Sequence, residues 1–425
     1  MADTFNDTLS RNALVNEQSP QTEQSRKPIP GAVCWAVNAS GEPILPPECQ
    51  GRRSIQPDSP PMTADTVLYL ASTTKLITAV AVLQCVDQGL VTLDEPIGKL
   101  LPEFENPDVI VGWRSVDGAG EGGNEEPILR KAKTQLTLRQ MMNHTGGISA
   151  AIFDPAYQKY NTYKGWPQRQ PTSIEHMNFP LRFDPGTKWM YGFGLDWAAI
   201  LITRLHNCTL DEYLSKHIFH PLSMTSTTFH PLRNPTIRSR LASIHARSEQ
   251  PASSTPFHPE PFEMWLKDSE SLSLESGGYG LYSTPADFIK LLHALIAPDC
   301  PLLKSQTVQE MFRPQLASAR WLREEAVDGK AVTIAGNILF PERAVNHGLG
   351  FVVLDDDGEG EGEGGRYPNG CERGTAMGGG LTNTYWWIDR KSGVAGLVFL
   401  NMLPYMDSEA VRLWRDFQGR VYAAL

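Results

Sequence analysis

Ser72-Thr73-Thr74-Lys75, followed by the run L-I-T-A-V-A-V-L-Q-C-V over residues 76–86, is the stretch that decides the fold. The run is apolar on nearly every face, which predicts a helix buried in a core, and Gly89 is placed to end it. Residues three apart on a helix share a face. We therefore expect the Lys75 amine to reach the Ser72 hydroxyl and take its proton as Ser72 attacks a carbonyl carbon. The alternative is a serine that only caps the helix beside a solvated lysine.

The composition is that of a globular protein with an acidic balance. The chain has 425 residues, of which 41% are hydrophobic and 20% charged, and its net charge is -10. That charge argues against nucleic acid and acidic membranes as partners, because both require clustered Lys and Arg. The longest apolar run is too short to span a bilayer, and the first residues lack the pattern of a secretory signal. Six scattered cysteines without a C-x-x-C pair predict reduced thiols. We expect a cytoplasmic protein that needs no metal or other cofactor.

The order of the predicted elements indicates an α/β (α+β) fold. A strand is predicted over residues 31–37, and strands return over 350–354, 384–388 and 394–400 before a terminal helix over 406–423. Helical spacing dominates the middle of the chain, at residues 137–143, 193–206, 209–217 and 285–297. Strands at both ends imply an antiparallel sheet built from both termini and flanked by helices, with a helical subdomain inserted.

This pattern divides the chain into four predicted parts. Residues 1–28 form an N-terminal arm or first helix, residues 29–110 and 275–425 form the sheet domain, and residues 111–274 form a mainly helical subdomain. Glycine-rich acidic stretches at 117–124 and 355–364 are predicted to be exposed loops. The active site is expected in the cleft between the two domains.

Three motifs in a fixed order resemble those of serine β-lactamase/penicillin-binding-protein-fold esterases. The S-x-x-K at residues 72–75 is the first, T-L-R-Q-M-M-N-H-T-G-G at 137–147 is the second, and G-G-Y-G-L-Y-S-T at 277–284 is the third. The resemblance extends over roughly residues 28–425 and implies a β-lactamase/transpeptidase-like fold. A G-x-S-x-G nucleophile elbow and an H-E-x-x-H zinc motif are both missing from the sequence, which disfavours α/β-hydrolase and zinc-hydrolase chemistry.

A fourth segment narrows the resemblance. D-P-G-T-K-W-M-Y-G-F-G-L-D-W-A at residues 184–198 is similar to a segment of the family's fungal acyltransferases of lovastatin biosynthesis. The resemblance gives Tyr191 the place of the family's catalytic tyrosine, which would relay the proton beside Ser72 and Lys75. The alternative is that Tyr191 only packs at the domain interface. His144 takes a position in the second motif for which we predict a structural role.

The chain also departs from the family pattern. Phe193 and Gly194 stand where a substrate-binding asparagine is expected, and residues 376–380, A-M-G-G-G, replace the late K-T-G element. Without that lysine a carboxylated β-lactam loses a charge-assisted contact, so hydrolysis of such antibiotics is disfavoured. A glycine strand edge lets a carbonyl approach a backbone N–H closely. We predict that Gly379, or its neighbours Gly378 and Gly380, forms the oxyanion hole with the N–H of Ser72.

The remaining site residues are predicted from position alone. Substrate contacts are expected from Met377, Phe193, Trp189, Phe153 and Tyr157. The resemblance implies a serine acyltransferase that moves an acyl group from a thioester or ester donor, through acyl-Ser72, to a hydroxyl of a small polyketide-like acceptor. A carboxylesterase or lactone hydrolase and a non-catalytic binding protein are the alternatives.

The resemblance also implies that the donor is carried by an acyl carrier protein. Carrier proteins are usually acidic, and the net charge of this chain would oppose their approach. A local basic patch would then be required, and Lys159, Lys164 and Arg169 are the predicted members.

Overall fold

The protein is described by a computed structural model. The described residues are 27–116, 125–168, 171, 173–248, 257–259, 274–318, 320–323, 326–327, 330–331, 345–355 and 370–425. Most of the predicted N-terminal arm and most of both glycine-rich acidic stretches therefore lie outside the described residues.

The helices and strands are numbered along the chain. The helices are α1 Thr74–Asp87, α2 Leu138–Met142, α3 Pro155–Lys164, α4 Gly194–His206, α5 Leu210–Leu214, α6 Pro235–Arg238, α7 Pro285–Ile296, α8 Ser305–Phe312, α9 Arg320–Arg323 and α10 Ser408–Ala423. The strands are β1 Gly31–Asn38, β2 Pro43–Gly51, β3 Leu68–Tyr69, β4 Asp108–Ser115, β5 Glu125–Lys131, β6 His245–Arg247, β7 Phe257–Pro259, β8 Tyr282–Ser283, β9 Ala326–Val327, β10 Lys330–Ala331, β11 Val345–His347, β12 Val352–Leu354, β13 Ala376–Gly380, β14 Thr384–Asp389, β15 Val394–Leu400 and β16 Met402–Leu403.

A seven-stranded antiparallel sheet unites the two ends of the chain. Its strand order is β11-β12-β13-β14-β15-β1-β2, so the early hairpin β1–β2 adds directly to the late meander. Ala32 faces Leu400 and Asn38 faces Val394 across the junction between β1 and β15. This arrangement is the sheet that the strand pattern at both termini predicted.

Both faces of the sheet are covered by helices. Alternate residues of β1 belong to different clusters: Val33 and Val37 share one with Phe288 of α7, whereas Cys34 shares another with Trp414 of α10. Side chains alternate across a strand, so a strand buried on both faces is apolar at successive positions. The continuous apolar sequence of β15, V-A-G-L-V-F-L, has this cause, and all its residues are buried.

Helix α1 lies in the largest core cluster. It is buried from Thr74 to Cys85, including Lys75, and Gly89 follows it with a φ of +75°. Its neighbour is α4, which contributes Leu195, Trp197 and Ile202 to the same cluster. The helix predicted over residues 76–86 is therefore present, and it begins at Thr74, directly after the 3₁₀ turn that contains Ser72.

Strands also occur in the span predicted to be mainly helical. β4 pairs with β5 in an antiparallel hairpin, and β6 pairs with β7 and with β16. The hairpin was missed because only Val109 and Ile110 of β4 are buried, which leaves no extended alternation in the sequence. The division of the chain into domains stays a prediction. No helix in the described ranges combines the length and hydrophobicity that a bilayer crossing requires.

Candidate active site

Ser72 lies in a tight turn between β3 and α1. A 3₁₀ turn, Ala71–Thr73, precedes the helix, and Ala71 has a φ of +47°. A non-glycine residue in this left-handed region costs on the order of 1–2 kcal/mol, so the surrounding contacts must hold it there. Leu70 donates its N–H to Leu281 O at 3.0 Å and accepts from Thr384 Oγ1 at 3.1 Å. The turn is thereby attached to β14 and to the third sequence motif.

The Ser72 hydroxyl meets both side chains that the sequence predicted beside it. Tyr191 Oη donates a hydrogen bond to Ser72 Oγ at 2.8 Å. Lys75 Nζ lies 3.4 Å from the same oxygen and 2.7 Å from the carbonyl oxygen of Gly278, and it sits 4.8 Å from the centre of the Tyr191 ring. A proton leaving Ser72 therefore has two nitrogen or oxygen acceptors within one hydrogen-bond length, which is the geometry that nucleophilic attack requires.

Tyr191 is positioned by close backbone packing around it. Met190 N–H donates to His144 O at 2.9 Å, and Phe193 N–H donates to Ser149 O at 3.3 Å. A Cβ added to Gly192 would lie 2.2 Å from Ile148 O, and one added to Gly194 would lie 2.1 Å from Met141 O. The glycines on either side of Phe193 thus allow the segment before α4 to press against the second motif. Gly194, which replaces the expected asparagine, has this packing role.

His144 lies behind Tyr191 rather than beside Ser72. It is buried with a φ of +62°, and its ring centre is 4.7 Å from that of Tyr191 and 5.3 Å from that of His347. Burial lowers the pKa of His144 well below its ordinary value, with His347 and Lys75 adding to the effect. An uncharged imidazole packed against the phenol fits the structural role predicted for it.

The cleft over Ser72 has a volume of about 710 Å³ including its open mouth. Of the substrate contacts predicted from the sequence, Phe153 and Phe193 line it. The structure corrects three others. Trp189 and Met377 are buried in the cluster under α10, and Tyr157 stacks on Phe179 and donates its hydroxyl to Pro180 O at 2.8 Å. Met377 faces the core through its register in β13, Tyr157 through its place on α3, and Trp189 through the path of the loop before Tyr191. Sequence proximity to the motifs could not show this.

Other lining residues were missed by the sequence analysis. They include Tyr69, Ile152, Tyr279, Leu381 and Tyr405. Tyr279 stands inside the third motif, so the sequence could have indicated that it lies near the site. Tyr405 follows the last strand of the sheet and reaches the cleft only through the fold; burial raises the pKa of its phenol, and Tyr191 adds to the rise. The wall of the cleft is therefore mostly aromatic and aliphatic.

The three glycines of β13 have different surroundings. Gly379 lines the cleft and pairs with Tyr385 of β14. A Cβ on Gly380 would lie 2.1 Å from Leu70 O, and one on Gly378 would lie within 2.8 Å of the Trp386 ring. Gly380 therefore allows the strand to touch the Ser72 turn, and Gly379 stays the predicted source of the second oxyanion N–H.

Two of the basic residues predicted to meet a carrier protein, Lys159 and Lys164, lie on α3. Lys159 forms an ion pair with Glu125 and lies over the Trp113 ring, and Lys164 lies over the Trp166 ring. Arg169 lies outside the described residues. Within the described ranges, no group of three or more His, Cys, Asp or Glu side chains is arranged to hold a metal ion.

Comparison with known proteins gives consistent matches along the chain. The family model described as beta-lactamase matches residues 22–420. The lovastatin esterase of Penicillium rubens is 33% identical over 401 residues, which cover 93% of this chain and 94% of that protein. The monacolin J acid methylbutanoyltransferase of Aspergillus terreus is 31% identical over 408 residues, covering 93% and 92%. The unliganded structure of simvastatin synthase (LovD) from Aspergillus terreus superposes with a TM-score of 0.78 at 30% identity, covering 93% of this chain and 94% of that one. These matches confirm the fold class predicted from the motifs.

Proposed function

The chain belongs to the beta-lactamase family, and from that premise we propose that it is a serine acyltransferase. It moves an acyl group from a thioester or ester donor, through acyl-Ser72, to a hydroxyl of a small polyketide-like acceptor. One observation carries the proposal: Tyr191 Oη and Lys75 Nζ converge on Ser72 Oγ, at 2.8 and 3.4 Å, at the floor of an apolar cleft. A relative of similar length is named a methylbutanoyltransferase, which supports transfer as the outcome.

In the first half-reaction Ser72 Oγ attacks the donor carbonyl carbon. Its proton passes to the Lys75 amine, directly or through the Tyr191 phenol, and returns to the departing thiol or alcohol. The N–H groups of Ser72 and Gly379 are the proposed donors to the oxyanion. The products are acyl-Ser72 and the free thiol or alcohol.

In the second half-reaction the acceptor hydroxyl attacks the acyl-Ser72 carbonyl. Lys75 and Tyr191 take the hydroxyl proton and return it to Ser72 Oγ as the bond to serine breaks. The apolar wall formed by Phe153, Phe193 and Leu381 favours a largely hydrocarbon acceptor over water in the cleft. An ester of the acceptor leaves, and the enzyme is restored.

A hydrolase is the second candidate function. A relative that is 33% identical is named an esterase, and water can attack acyl-Ser72 with the same groups as an alcohol. A non-catalytic binding protein is the remote alternative, and the hydrogen-bonded Ser72, Tyr191 and Lys75 set argues against it.

The deciding experiment separates the two half-reactions. The protein is incubated with a panel of acyl thioesters, and the mass of the protein is followed until an adduct forms. Candidate alcohols are then added, and the loss of the adduct is compared with its loss in water alone. Faster loss with formation of the alcohol's ester establishes transfer, equal loss with release of the free acid establishes hydrolysis, and failure of every donor to form an adduct removes both.

Two finer features belong to the same proposal. An acyl carrier protein is the proposed bearer of the donor, and Lys159, Lys164 and Arg169 are the residues proposed to contact it. A cytoplasmic location is proposed because all six cysteines, each in the described part of the chain, are thiols, and reduced thiols are typical of the cytosol.

A further inference from the structure

The Gly277-Gly278 segment separates α1 from α4 next to the proposed catalytic lysine. From α1, Thr78 Oγ1 donates to Gly277 O at 2.7 Å and Lys75 Nζ donates to Gly278 O at 2.7 Å. Gly278 O is therefore closer to the Lys75 amine than Ser72 Oγ is, at 3.4 Å. The position of this one carbonyl decides how far the amine stands from the nucleophile.

Asp196 holds the segment from the other side. It lies in the first turn of α4, is 3% exposed, and lines the cleft. Its Oδ1 accepts hydrogen bonds from Ser276 Oγ and from Gly278 N–H, the latter at 3.1 Å. Its Oδ2 is buried and has no hydrogen-bond partner among the described residues. The same carboxylate thus anchors the peptide whose carbonyl receives the lysine.

Steric contact makes this arrangement rigid. A Cβ on Gly278 would lie 2.2 Å from Asp196 Oδ2, and a Cβ on Gly277 would lie 2.5 Å from Ala199 Cβ. The first two glycines of the G-G-Y-G motif are therefore required for α1 and α4 to approach this segment from opposite sides. Ser276 Oγ also accepts from Tyr279 N–H at 3.1 Å, which closes the turn.

We infer that Asp196 is a positioning residue for Lys75, acting through Gly278 and through its own negative charge. It holds the Gly278 carbonyl that receives the ammonium, and its charge stabilises that ammonium form. The inference rests on the proposed function, because Asp196 would influence the pH at which Lys75 acts as a base in acylation. Asp196 touches no reacting atom in this account.

The charges around Asp196 support this role. Lys75 on α1 lowers the pKa of the Asp196 carboxyl against the larger rise caused by burial. Because this interaction joins the two side chains, a change of charge at Asp196 acts directly on Lys75. The other titratable groups that face the pair are Tyr69, Tyr279 and Tyr191, together with the uncharged His144. Burial raises the pKa of Tyr69 and lowers that of His144, so neither of these two groups contributes a charge near pH 7.

The test is the pH profile of single-turnover acylation by a small p-nitrophenyl ester, measured by adduct mass. Asp196→Asn keeps the shape and an oxygen acceptor but removes the charge, and the acidic limb of the profile should move down by about one pH unit. Asp287→Asn is the matched control, because Asp287 is also buried in the first turn of a helix and accepts Ser226 N–H at 2.7 Å. Its profile should keep the wild-type limb.

Ser276→Ala is the second variant, since it removes one donor to Asp196 but keeps the charge. Acylation should slow by about tenfold without a shift of the limb. If the Asp196→Asn variant is active and the acidic limb of its pH profile lies where that of the wild type lies, the inference is overturned. If that variant does not fold, wild-type acylation by Ser276→Ala overturns it, and slowed acylation supports it. Failure of the wild-type protein to form any Ser72 adduct would instead remove the proposed function.

Discussion

The Ser72 hydroxyl is held by a phenol, an amine and a turn that come from distant parts of the sequence. Tyr191 is 119 residues away along the chain and donates at 2.8 Å, whereas Lys75 comes from the next turn of the same helix. Thr73, not Ser72, occupies the N-cap position of α1. The Ser72 hydroxyl is available for chemistry, and its removal should cost the fold little.

Ser72→Ala should abolish the acyl adduct, and Lys75→Ala should lower acylation nearly as much, by at least about a thousandfold. The reason is that members of one nucleophilic unit act together, so the double variant should be little worse than either single one. Adduct mass and turnover are the measurements, with circular dichroism to confirm folding. Turnover retained by folded Ser72→Ala would exclude Ser72 as the nucleophile.

His245 should make the protein less stable in weak acid. It is buried, its Nε2 accepts from Ile55 N–H at 3.2 Å, and burial lowers its pKa to about 4. Because the unfolded chain takes up a proton near pH 6.5 and the folded protein only near pH 4, stability is lost as pH falls between these values. Between pH 7.5 and 5 the loss from this one group is about 2 kcal/mol.

Urea unfolding at the two pH values measures this effect. His245→Gln should show a smaller fall in the free energy of unfolding than the wild type, by about that 2 kcal/mol. His220→Gln, at an exposed histidine, should leave the fall unchanged. Identical pH dependence in wild type and His245→Gln would contradict the assignment.

At the scale of elements, the site depends on the contact between strand β13 and the turn before α1. Thr73 Oγ1 donates to Thr384 O at 3.0 Å and Thr382 Oγ1 donates to Tyr69 O at 3.0 Å, so β14 and the turn that joins it to β13 hold the Ser72 turn from both ends. The glycines of β13 let the strand approach this closely. The left-handed Ala71 is maintained by these contacts rather than by its own preference.

Gly380→Ala should separate the strand from the turn. Its Cβ would lie 2.1 Å from Leu70 O, and backbone cannot yield as a flexible side chain can. We expect a loss of acylation of at least about tenfold and a lower free energy of unfolding, by about 1–3 kcal/mol. Acylation rates and urea unfolding measure the two effects.

Gly419→Ala is the matched control on α10. No atom lies within 4 Å of the added Cβ, and alanine is the better helix former. This variant should gain about 0.5–1 kcal/mol and keep full activity. Wild-type activity in Gly380→Ala would show that the contact with the turn does not position Ser72.

At the scale of the whole molecule, the net charge opposes the approach of a donor carried by an acidic carrier protein, although the cleft would accept its acyl group. The net charge of -10 repels an acidic carrier protein, and Lys159 is already paired with Glu125. A carrier that is nevertheless recognised must use the local basic residues at α3. Binding of the carrier protein can then be changed by substitution without changing the reaction at Ser72.

Neutralising Lys159, Lys164 and Arg169 to Gln should lower kcat/KM for a carrier-bound acyl donor several-fold, because steering of the carrier is weakened. The same acyl group on a small soluble thiol is the control and should be used equally well by both proteins. Equal efficiency for the two donors, unchanged by the substitutions, would mean that no carrier protein is recognised.

The sequence by itself determined the architecture and the proposed nucleophile. Ser72 and Lys75 are three residues apart, and that spacing alone predicts their contact because it matches one turn of a helix. The apolar patterns of β1 and β15 predict a sheet built from both ends. Tyr191 was recognised only through its resemblance to a family segment. The spacing of residues within one helix or strand can be read from the sequence, because residues close along the chain belong to the same element.

Only the tertiary structure decided which other residues reach the cleft. Met377 and Trp189 turn into the core under α10, whereas Tyr405 enters the cleft and Asp196 holds the Gly278 peptide. These outcomes depend on strand register and on how helices from distant segments pack. A shift of one residue along a strand reverses the face of every side chain, and pairing across the sheet sets that register.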